Sequence, residues 1–196
     1  LKSGRKISLV KAVSQEDRGI LNMIRKNIDI IASDRKSAEE NNPGAALLEL
    51  KQHLQLDSEP DIIECFDISN FQGTDSVASM VRFSLGRPDK SGYRRYKIRG
   101  YETANDPGMI HEAVSRRLQY LVNENQGFPD LIVIDGGSTQ LTRALEAAEN
   151  FTTELKIISI AKRLEEIYTS PSEQPLRLPE NSPALKLIQR IRDETH

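Results

Sequence analysis

Residues 129–137 read Pro-Asp-Leu-Ile-Val-Ile-Asp-Gly-Gly, and the apolar run inside this stretch decides the fold class. The four residues 131–134 are all branched and aliphatic, which is typical of a strand buried on both faces of a parallel sheet. A second apolar run lies at 155–160, and residues 139–149 between the two runs have helical spacing. Two buried strands joined by a helix predict a parallel pair with a helical crossover.

Three further strands are predicted before this pair, at 62–68, 76–84 and about 92–99. Short turns join them, so they should be antiparallel neighbours. A helix at about 109–122 then leads into the parallel pair. The sequence therefore predicts an α/β fold with a mixed five-stranded sheet, three antiparallel strands followed by two parallel ones, with helices on both sides. This order of elements resembles the ribonuclease H-like fold.

Residues 1–60 differ in pattern from the rest of the chain. Apolar residues recur at helical spacing over about 15–40, the sequence Asn-Asn-Pro-Gly at 41–44 interrupts them, and a second helix follows. We therefore predict a helical lead-in segment at 1–60 that packs on a second domain at 61–196. The first residue is not methionine and the last lies inside a helical pattern, so we expect the chain to be a piece of a longer protein.

The composition excludes several classes of protein. The 196 residues include 27 Lys and Arg against 29 Asp and Glu, a formal charge of −2, which excludes a globally basic nucleic-acid coat but allows a local basic strip. The longest apolar run is far shorter than a membrane span of about 20 residues, and we identify no secretory signal. The single cysteine, Cys65, excludes a disulfide framework and a cysteine-rich zinc site. We expect an intracellular protein that does not cross a membrane.

Two aspartates stand at the carboxyl ends of predicted strands. Asp67 comes near the end of the first strand, and Asp135 directly follows the fourth. If these strands are neighbours, the two carboxylates come close together at the edge where such sheets bind ligands. Two hard oxygen ligands suit Mg²⁺ or Mn²⁺. An aspartate at a strand end is also often a turn former or a helix N-cap, and both interpretations stay open.

His196 is the third candidate. A last helix is predicted from about residue 182, and at about 100° per residue His196 falls near the bearing of Leu185, at the flank of the buried face. A histidine at such a place is commonly a capping cation near the end of a helix. It can also lean over a cleft as a metal ligand or a proton carrier.

Residues 82–99 form what we call the basic strip. Seven cations are interleaved there with Tyr93 and Tyr96, against a single acid, Asp89. The cations are Arg82, Arg87, Lys90, Arg94, Arg95, Lys97 and Arg99. Such a strip either protects an exposed sheet edge from aggregation or binds the phosphates of a nucleic acid.

Several segments from residue 62 to the last residue match the motifs of a known family in the family's own order. They are Ile63-Glu64-Cys65-Phe66-Asp67-Ile68-Ser69, Gln72-Gly73-Thr74, Val77-Ala78-Ser79-Met80-Val81, Tyr93-Arg94-Arg95-Tyr96, the stretch 129–137, Gln140-Leu141, Ile160-Ala161-Lys162-Arg163, Glu166-Ile167-Tyr168 and Arg190-Ile191-Arg192-Asp193-Glu194-Thr195-His196. In these segments the chain resembles the catalytic domain of the UvrC family, the incising subunit of bacterial nucleotide excision repair. Residues 1–60 resemble the segment that precedes the family's first strand.

The resemblance implies a ribonuclease H-like endonuclease with an Asp-Asp-His site formed by Asp67, Asp135 and His196, with Mg²⁺ or Mn²⁺ as its cofactor. It implies incision of the damaged strand on the 5′ side of a lesion, leaving a 3′-hydroxyl and a 5′-phosphate. The implied partners are damaged double-stranded DNA and UvrB, with UvrA upstream in the pathway. The implied location is the bacterial cytoplasm.

The resemblance also names accessory positions. Asp106 matches a family acid near the site, and Lys162 falls in a stretch that should approach the phosphate. Asn70 and Ser138 lie beside the two site aspartates in the sequence. The expected DNA contacts are five residues of the basic strip, Arg82, Arg94, Arg95, Lys97 and Arg99.

Two positions depart from the family pattern. Asn70 stands where the family usually has histidine, so it cannot carry a proton there. Ser138 and Thr139 stand where the family usually has Lys-Gly, which removes a cation beside Asp135. These departures keep open a non-catalytic module of the same fold that docks DNA or UvrB. A nuclease of the same fold that serves recombination is a third interpretation, which the motif wording disfavours.

Overall fold

The computed structural model describes residues 18–28, 43–71, 75–98, 107–151, 154–161 and 165–196, apart from the side chains of 69–71 and 75. The chain divides into two compact units, Leu1–Asn41 and Asn42–His196. In the first unit, residues 18–28 form helix α1, and every residue of α1 is exposed. The rest of the helix predicted at 15–40 lies outside the described residues. In the described part of the chain, no helix has the length and apolar character needed to cross a bilayer.

The second unit begins with helix α2, Pro43–Leu54. Proline suits the first position of a helix because its missing N–H would have no partner there. Ala46, Leu47, Leu50 and Leu54 are buried at helical spacing. Although the sequence pattern places this helix in the lead-in segment, it belongs to the same compact unit as the sheet.

The sheet is mixed and has seven strands within the described ranges. The strands are β1 (Ile62–Phe71), β2 (Asp75–Ser84), β3 (Arg87–Pro88), β4 (Arg94–Ile98), β5 (Leu131–Asp135), β6 (Lys156–Ala161) and β7 (Glu166–Tyr168). Their order is β3-β2-β1-β5-β6-β7, and β4 also pairs with β2. Strands β1, β5 and β6 are parallel, whereas β1–β2, β2–β4 and β6–β7 are antiparallel.

The predicted meander and parallel pair are therefore confirmed, but the predicted strand count of five is wrong. The two additional strands are β3, which lies where a turn was expected, and β7. They contain two and three residues. Segments this short do not show the alternation of apolar and polar residues by which a strand is recognised in a sequence.

Helices cover both faces of the sheet. They are α3 (Gly108–Asn123), α4 (Ser138–Glu149) and α5 (Pro183–Thr195), and a 3₁₀ turn spans Lys90–Gly92. Helices α2 and α5 pack on the face that carries Ile63 and Cys65, and α3 and α4 pack on the face that carries Phe66. Because side chains alternate along a strand, neighbouring residues of β1 contribute to different cores.

An ion pair that the sequence did not predict is buried beneath α3. Arg117 donates from Nε to Glu64 Oε2 (3.0 Å) and from Nη2 to Glu64 Oε1 (2.5 Å). The side chains are 3% and 1% exposed. Burial by itself lowers the pKa of Arg117, but the hydrogen bonds and charge of Glu64 outweigh it, and the pKa is raised above its usual value. The bidentate geometry compensates part of the desolvation cost of both charges.

Candidate active site

Asp67 and Asp135 lie where the pairing of two adjacent parallel strands ends. Asp135 is the last residue of β5, whereas β1 continues past Asp67 to Phe71 in its pairing with β2. The register of β1 and β5 pairs Phe66 with Ile134, so each aspartate follows one residue later. Alternation places both carboxylates on the face that carries Cys65, which is the face covered by α5. Their side chains are 10% and 3% exposed. The first and fourth predicted strands are thus neighbours, and the sheet brings the two acids together.

His196 caps the carboxyl end of α5, directly above these carboxylates. Its Nδ1 lies 3.1 Å from Asp67 Oδ2, and its Nε2 lies 3.1 Å from Asp135 Oδ2. The imidazole is 39% exposed, so it is also the member of the group most accessible from solvent. Leu185, which shares its bearing in the helical pattern, is buried. His196 differs because it follows the last helical residue.

Side-chain bonds on both sides hold the end of α5. Tyr93 donates from its hydroxyl to Glu194 Oε1 (3.0 Å). On the other side, Arg192 Nη1 donates to both carboxylate oxygens of Glu165 (3.0 and 2.9 Å). Burial and the bond to Glu194 raise the pKa of Tyr93, which keeps its hydroxyl protonated as a donor. The turn that carries His196 is therefore anchored by tertiary contacts as well as by helical hydrogen bonds.

The thiol of Cys65 lies beneath this turn. Thr195 Oγ1 lies 3.4 Å from Cys65 Sγ, within hydrogen-bonding distance, and 3.1 Å from the Ile191 carbonyl oxygen. Burial raises the pKa of the Cys65 thiol to about 12. The thiol is therefore neutral at ordinary pH, and it packs in the core.

The loop after Asp135 turns directly into α4. Gly136 donates from its N–H to the Ile160 carbonyl (3.0 Å), and Gly137 donates to Gln140 Oε1 (3.1 Å). A Cβ at Gly136 would lie 2.9 Å from the Gln140 side chain, so only glycine fits this close approach. The N-cap of α4 is Gly137. Asp135 is therefore not the helix cap that its position in the sequence also allowed.

Some of the accessory positions lie within the described residues and others lie outside them. Ser138 is the first residue of α4 and is half-buried. The backbone of Asn70 pairs with Ser76 between β1 and β2, and its side chain is outside the described residues. Asp106, Lys162 and Arg99 also lie outside the described residues. Their expected roles stay predictions.

Strand register divides the basic strip between the two faces of the sheet. Arg95 pairs with Ser79, which pairs with Asp67, so these three residues form one row on the active-site face. Lys97 lies on the same face two residues further along β4. Arg82 alternates to the opposite face, and its Nε lies 3.3 Å from Asp89 Oδ2.

The donor set fits a divalent cation. One ligand atom each from Asp67, Asp135 and His196 can be chosen so that all three lie within 4.8 Å of one another. Carboxylate oxygens are the ligands that Mg²⁺ and Mn²⁺ prefer, and imidazole is tolerated by the latter in particular. A cation between the two carboxylates would also offset their mutual repulsion.

Comparison with family models identifies the family of the domain. A family model described as the UvrC RNase H endonuclease domain matches residues 51–196. The chain belongs to this family. Membership and the mixed sheet together confirm the ribonuclease H-like fold of this UvrC domain.

Curated relatives of this UvrC domain carry the name UvrABC system protein C. The protein from Leptospira biflexa is 45% identical over 197 residues, covering 100% of this chain and 32% of the relative. The protein from Methanococcus maripaludis is 41% identical over 195 residues, covering 100% of this chain and 36% of the relative. The chain therefore spans about a third of the length of these relatives.

Among solved structures, human ENDOV is similar with a TM-score of 0.44 and 15% identity, covering 65% of this chain and 59% of that one. Ciona intestinalis endonuclease V in complex with DNA is similar with a TM-score of 0.41 and 16% identity, covering 86% and 70%.

The sequence analysis missed the residues that anchor the end of α5. Tyr93 was interpreted only as an aromatic residue of the basic strip, and Glu194 had no role. The two residues are 101 positions apart, and no local pattern links them. Both residues lie in segments that match UvrC motifs, and this match is the one feature of the sequence that could have indicated a role for them.

Proposed function

We propose that this UvrC domain hydrolyses a phosphodiester bond of damaged DNA, with Asp67, Asp135 and His196 as its catalytic group. The family consists of endonuclease domains of the UvrABC repair system, and the proposal assigns the chemistry to residues of this site. The observation that carries the proposal is the approach of His196 to both carboxylates at 3.1 Å. Two acids and an imidazole at a strand edge are suited to hydrolysis of a phosphate ester.

We propose Mg²⁺ or Mn²⁺ as the cofactor, held by Asp67, Asp135 and His196. When bound, such a cation polarises a phosphate oxygen and lowers the pKa of water. The protein's own contribution is positional, because both aspartates project from the rigid central strands of the sheet. The half-exposed imidazole leaves the outer side of the group open to a phosphate.

In the cell, the substrate proposed for the whole protein is damaged double-stranded DNA, delivered by UvrB after UvrA has acted. The proposed cut is 5′ to the lesion, with a 3′-hydroxyl and a 5′-phosphate as products. The proposed location is the bacterial cytoplasm. Support for these statements is the name that the relatives share and the family resemblance of the motifs.

The first experiment is a nicking assay of the purified chain on a labelled duplex that carries a single lesion. We expect nicks in Mn²⁺, fewer in Mg²⁺ and none in excess EDTA. DNA ligase should seal the products, because it requires a 3′-hydroxyl beside a 5′-phosphate. Undiminished nicking in EDTA would contradict metal dependence. With UvrA and UvrB added, the nicks should fall on the 5′ side of the lesion.

The second candidate is a non-catalytic module that docks DNA or UvrB. It is favoured by Asn70 and by Ser138-Thr139, which replace a proton carrier and a cation of the family pattern. This candidate predicts saturable binding of the duplex or of UvrB without nicking in either metal. Nicking that follows the metal content of the buffer excludes it.

His196 is open to two roles, and calorimetry with Mn²⁺ separates them. We expect His196→Ala to weaken Mn²⁺ binding by about tenfold or more and to reduce nicking by at least about a hundredfold, as the loss of a ligand should. A histidine that only carries a proton would lower nicking and leave Mn²⁺ affinity unchanged. His53→Ala, in the exposed part of α2, is the matched control and should change neither quantity.

A further inference from the structure

One row of side chains leads away from the active site across three strands. The register pairs Asp67 with Ser79 and Ser79 with Arg95. Directly paired residues project on the same face, and adjacent strands are about 4.8 Å apart, so the Arg95 backbone lies about 10 Å from that of Asp67. Ser79 lies halfway between them. Beside the catalytic group, the row therefore presents first the Ser79 hydroxyl and then the Arg95 guanidinium.

A cleft of about 380 Å³ occupies this position. Ser79 of β2 and Arg95 of β4 line the cleft from the sheet. Tyr93 lines it just before β4, Glu194 lines it from the end of α5, and His196 lines it from the active site. Glu194 accepts a hydrogen bond from the Tyr93 hydroxyl at the wall of the cleft. The cleft is continuous with the catalytic group because His196 belongs to both.

Arg94 is the adjacent residue and also lines this cleft, and its guanidinium is held by neutral carbonyl oxygens that leave its charge in place. It pairs with Met80, whose side chain packs in the core under α3 and α4. Its Nη1 donates to the carbonyl oxygens of Ser91 (2.9 Å) and Tyr93 (2.7 Å). Arg95 is exposed, and no hydrogen bond or ion pair with the described residues engages its guanidinium. Arg95 therefore projects on the active-site face of the sheet, and Arg94 projects on the opposite face.

We propose that Arg95 and Ser79 form a subsite for the phosphate of the nucleotide next to the scissile bond. The proposal rests on the proposed function and deepens it, because it sets the direction in which the DNA strand crosses the sheet. The DNA strand would run from Asp67 over β2 to β4, so it would cross the β-strands rather than follow β2 or β4 along their length. Arg95 supplies the charge for the phosphate and Ser79 a neutral donor.

Binding of a fluorescent 24-base-pair duplex, measured by anisotropy between 50 and 200 mM NaCl in EDTA, tests the subsite without requiring catalysis. Each phosphate contact contributes about 0.9 to the slope of log K against log salt. We expect Arg95→Ala to lower the slope by about 1 and to weaken binding about three- to tenfold at 50 mM. Ser79→Ala should weaken binding about twofold with the slope unchanged, because its donor is neutral. Arg177→Ala is the matched control, because this exposed arginine follows β7 at the opposite edge of the sheet, and it should leave the slope unchanged.

A second measurement fixes the position of the subsite. Nicking in Mn²⁺ is compared on duplexes in which one linkage beside the cleavage site is a neutral methylphosphonate. The neutral linkage should slow cleavage by the native chain about three- to tenfold and should have little effect on Arg95→Ala, which has already lost that contact.

The outcomes distinguish this subsite from the function on which it rests. An unchanged salt slope in Arg95→Ala, an equal loss in Arg177→Ala, or no duplex binding at 50 mM overturns the subsite even if nicking depends on Asp67. A native chain that never nicks contradicts the proposed function. In that case a slope lowered by Arg95→Ala alone still supports the phosphate contact.

Discussion

Replacing Asp67 with asparagine is expected to reduce Mn²⁺-dependent nicking by about a thousandfold or more. Asparagine retains the volume of the side chain and removes its charge. The carboxylate is 10% exposed, and its Oδ2 lies 3.1 Å from His196, so the substitution removes both a hard oxygen donor and the partner that orients the imidazole. Asp135→Asn should have an effect of similar size. The double variant should be scarcely worse than either single one, because residues that act as a unit are not additive.

The matched control for these variants is Asp57→Asn, which removes the same charge from an exposed position after α2. We expect its nicking rate to equal that of the native chain. Thermal unfolding should show that Asp67→Asn and Asp135→Asn remain folded, because both side chains keep their shape. An Asp67→Asn chain that is folded and retains a tenth or more of the native rate contradicts the assignment of the site.

Breaking the buried ion pair is expected to have the largest effect on stability. Arg117→Met leaves the Glu64 carboxylate buried and without its bidentate partner, which should cost about 3–5 kcal/mol of the free energy of unfolding. For a domain of this size the midpoint of thermal unfolding should fall by about 6–20 °C. Urea unfolding followed by circular dichroism measures the free energy of unfolding, and a temperature scan with the same signal measures the midpoint. Glu64→Gln should be similarly destabilising, because it leaves the Arg117 charge buried.

The double variant Glu64→Leu/Arg117→Met separates loss of the pair from loss of packing. Neither charge remains buried in it, so it should be more stable than either single variant, as replacement of a buried pair by apolar residues often is. Arg143→Ala is the control. It breaks an exposed pair with Glu146, whose two side chains are 50% and 41% exposed, and should cost about 1 kcal/mol or less. Additive losses in the double variant would contradict a coupled pair.

The two acidic members of the site were predictable from local pattern. Asp67 and Asp135 follow apolar runs, and the strand period sets the face on which each side chain projects. Asp135 does end its strand, whereas β1 continues past Asp67 to Phe71. Their proximity required one further step, the adjacency of β1 and β5, which the order of elements indicated. The two-residue β3 and three-residue β7 were not predictable, because their pairing depends on neighbours that are already in place.

The sequence pattern of the basic strip does not show on which face of the sheet each cation lies. Its seven cations appeared equivalent in the sequence, and register then separated Arg95 and Lys97 from Arg82. Side-chain period 2 means that a shift of one residue in the register moves every side chain to the other face. The 3₁₀ turn at Lys90–Gly92 sets where β4 begins, and it carried no strong sequence signal.

By itself, the sequence determined the α/β class, the parallel and antiparallel strands and the acids at the strand ends, because periodicity and strand-end position are local properties of the chain. The tertiary structure alone decided the approach of His196 to both carboxylates, the Tyr93–Glu194 bond and the Glu64–Arg117 pair. The last two contacts join residues 101 and 53 positions apart. Whether such contacts form depends on how α3 and α5 pack on the sheet, which is a property of the whole core rather than of any segment of sequence.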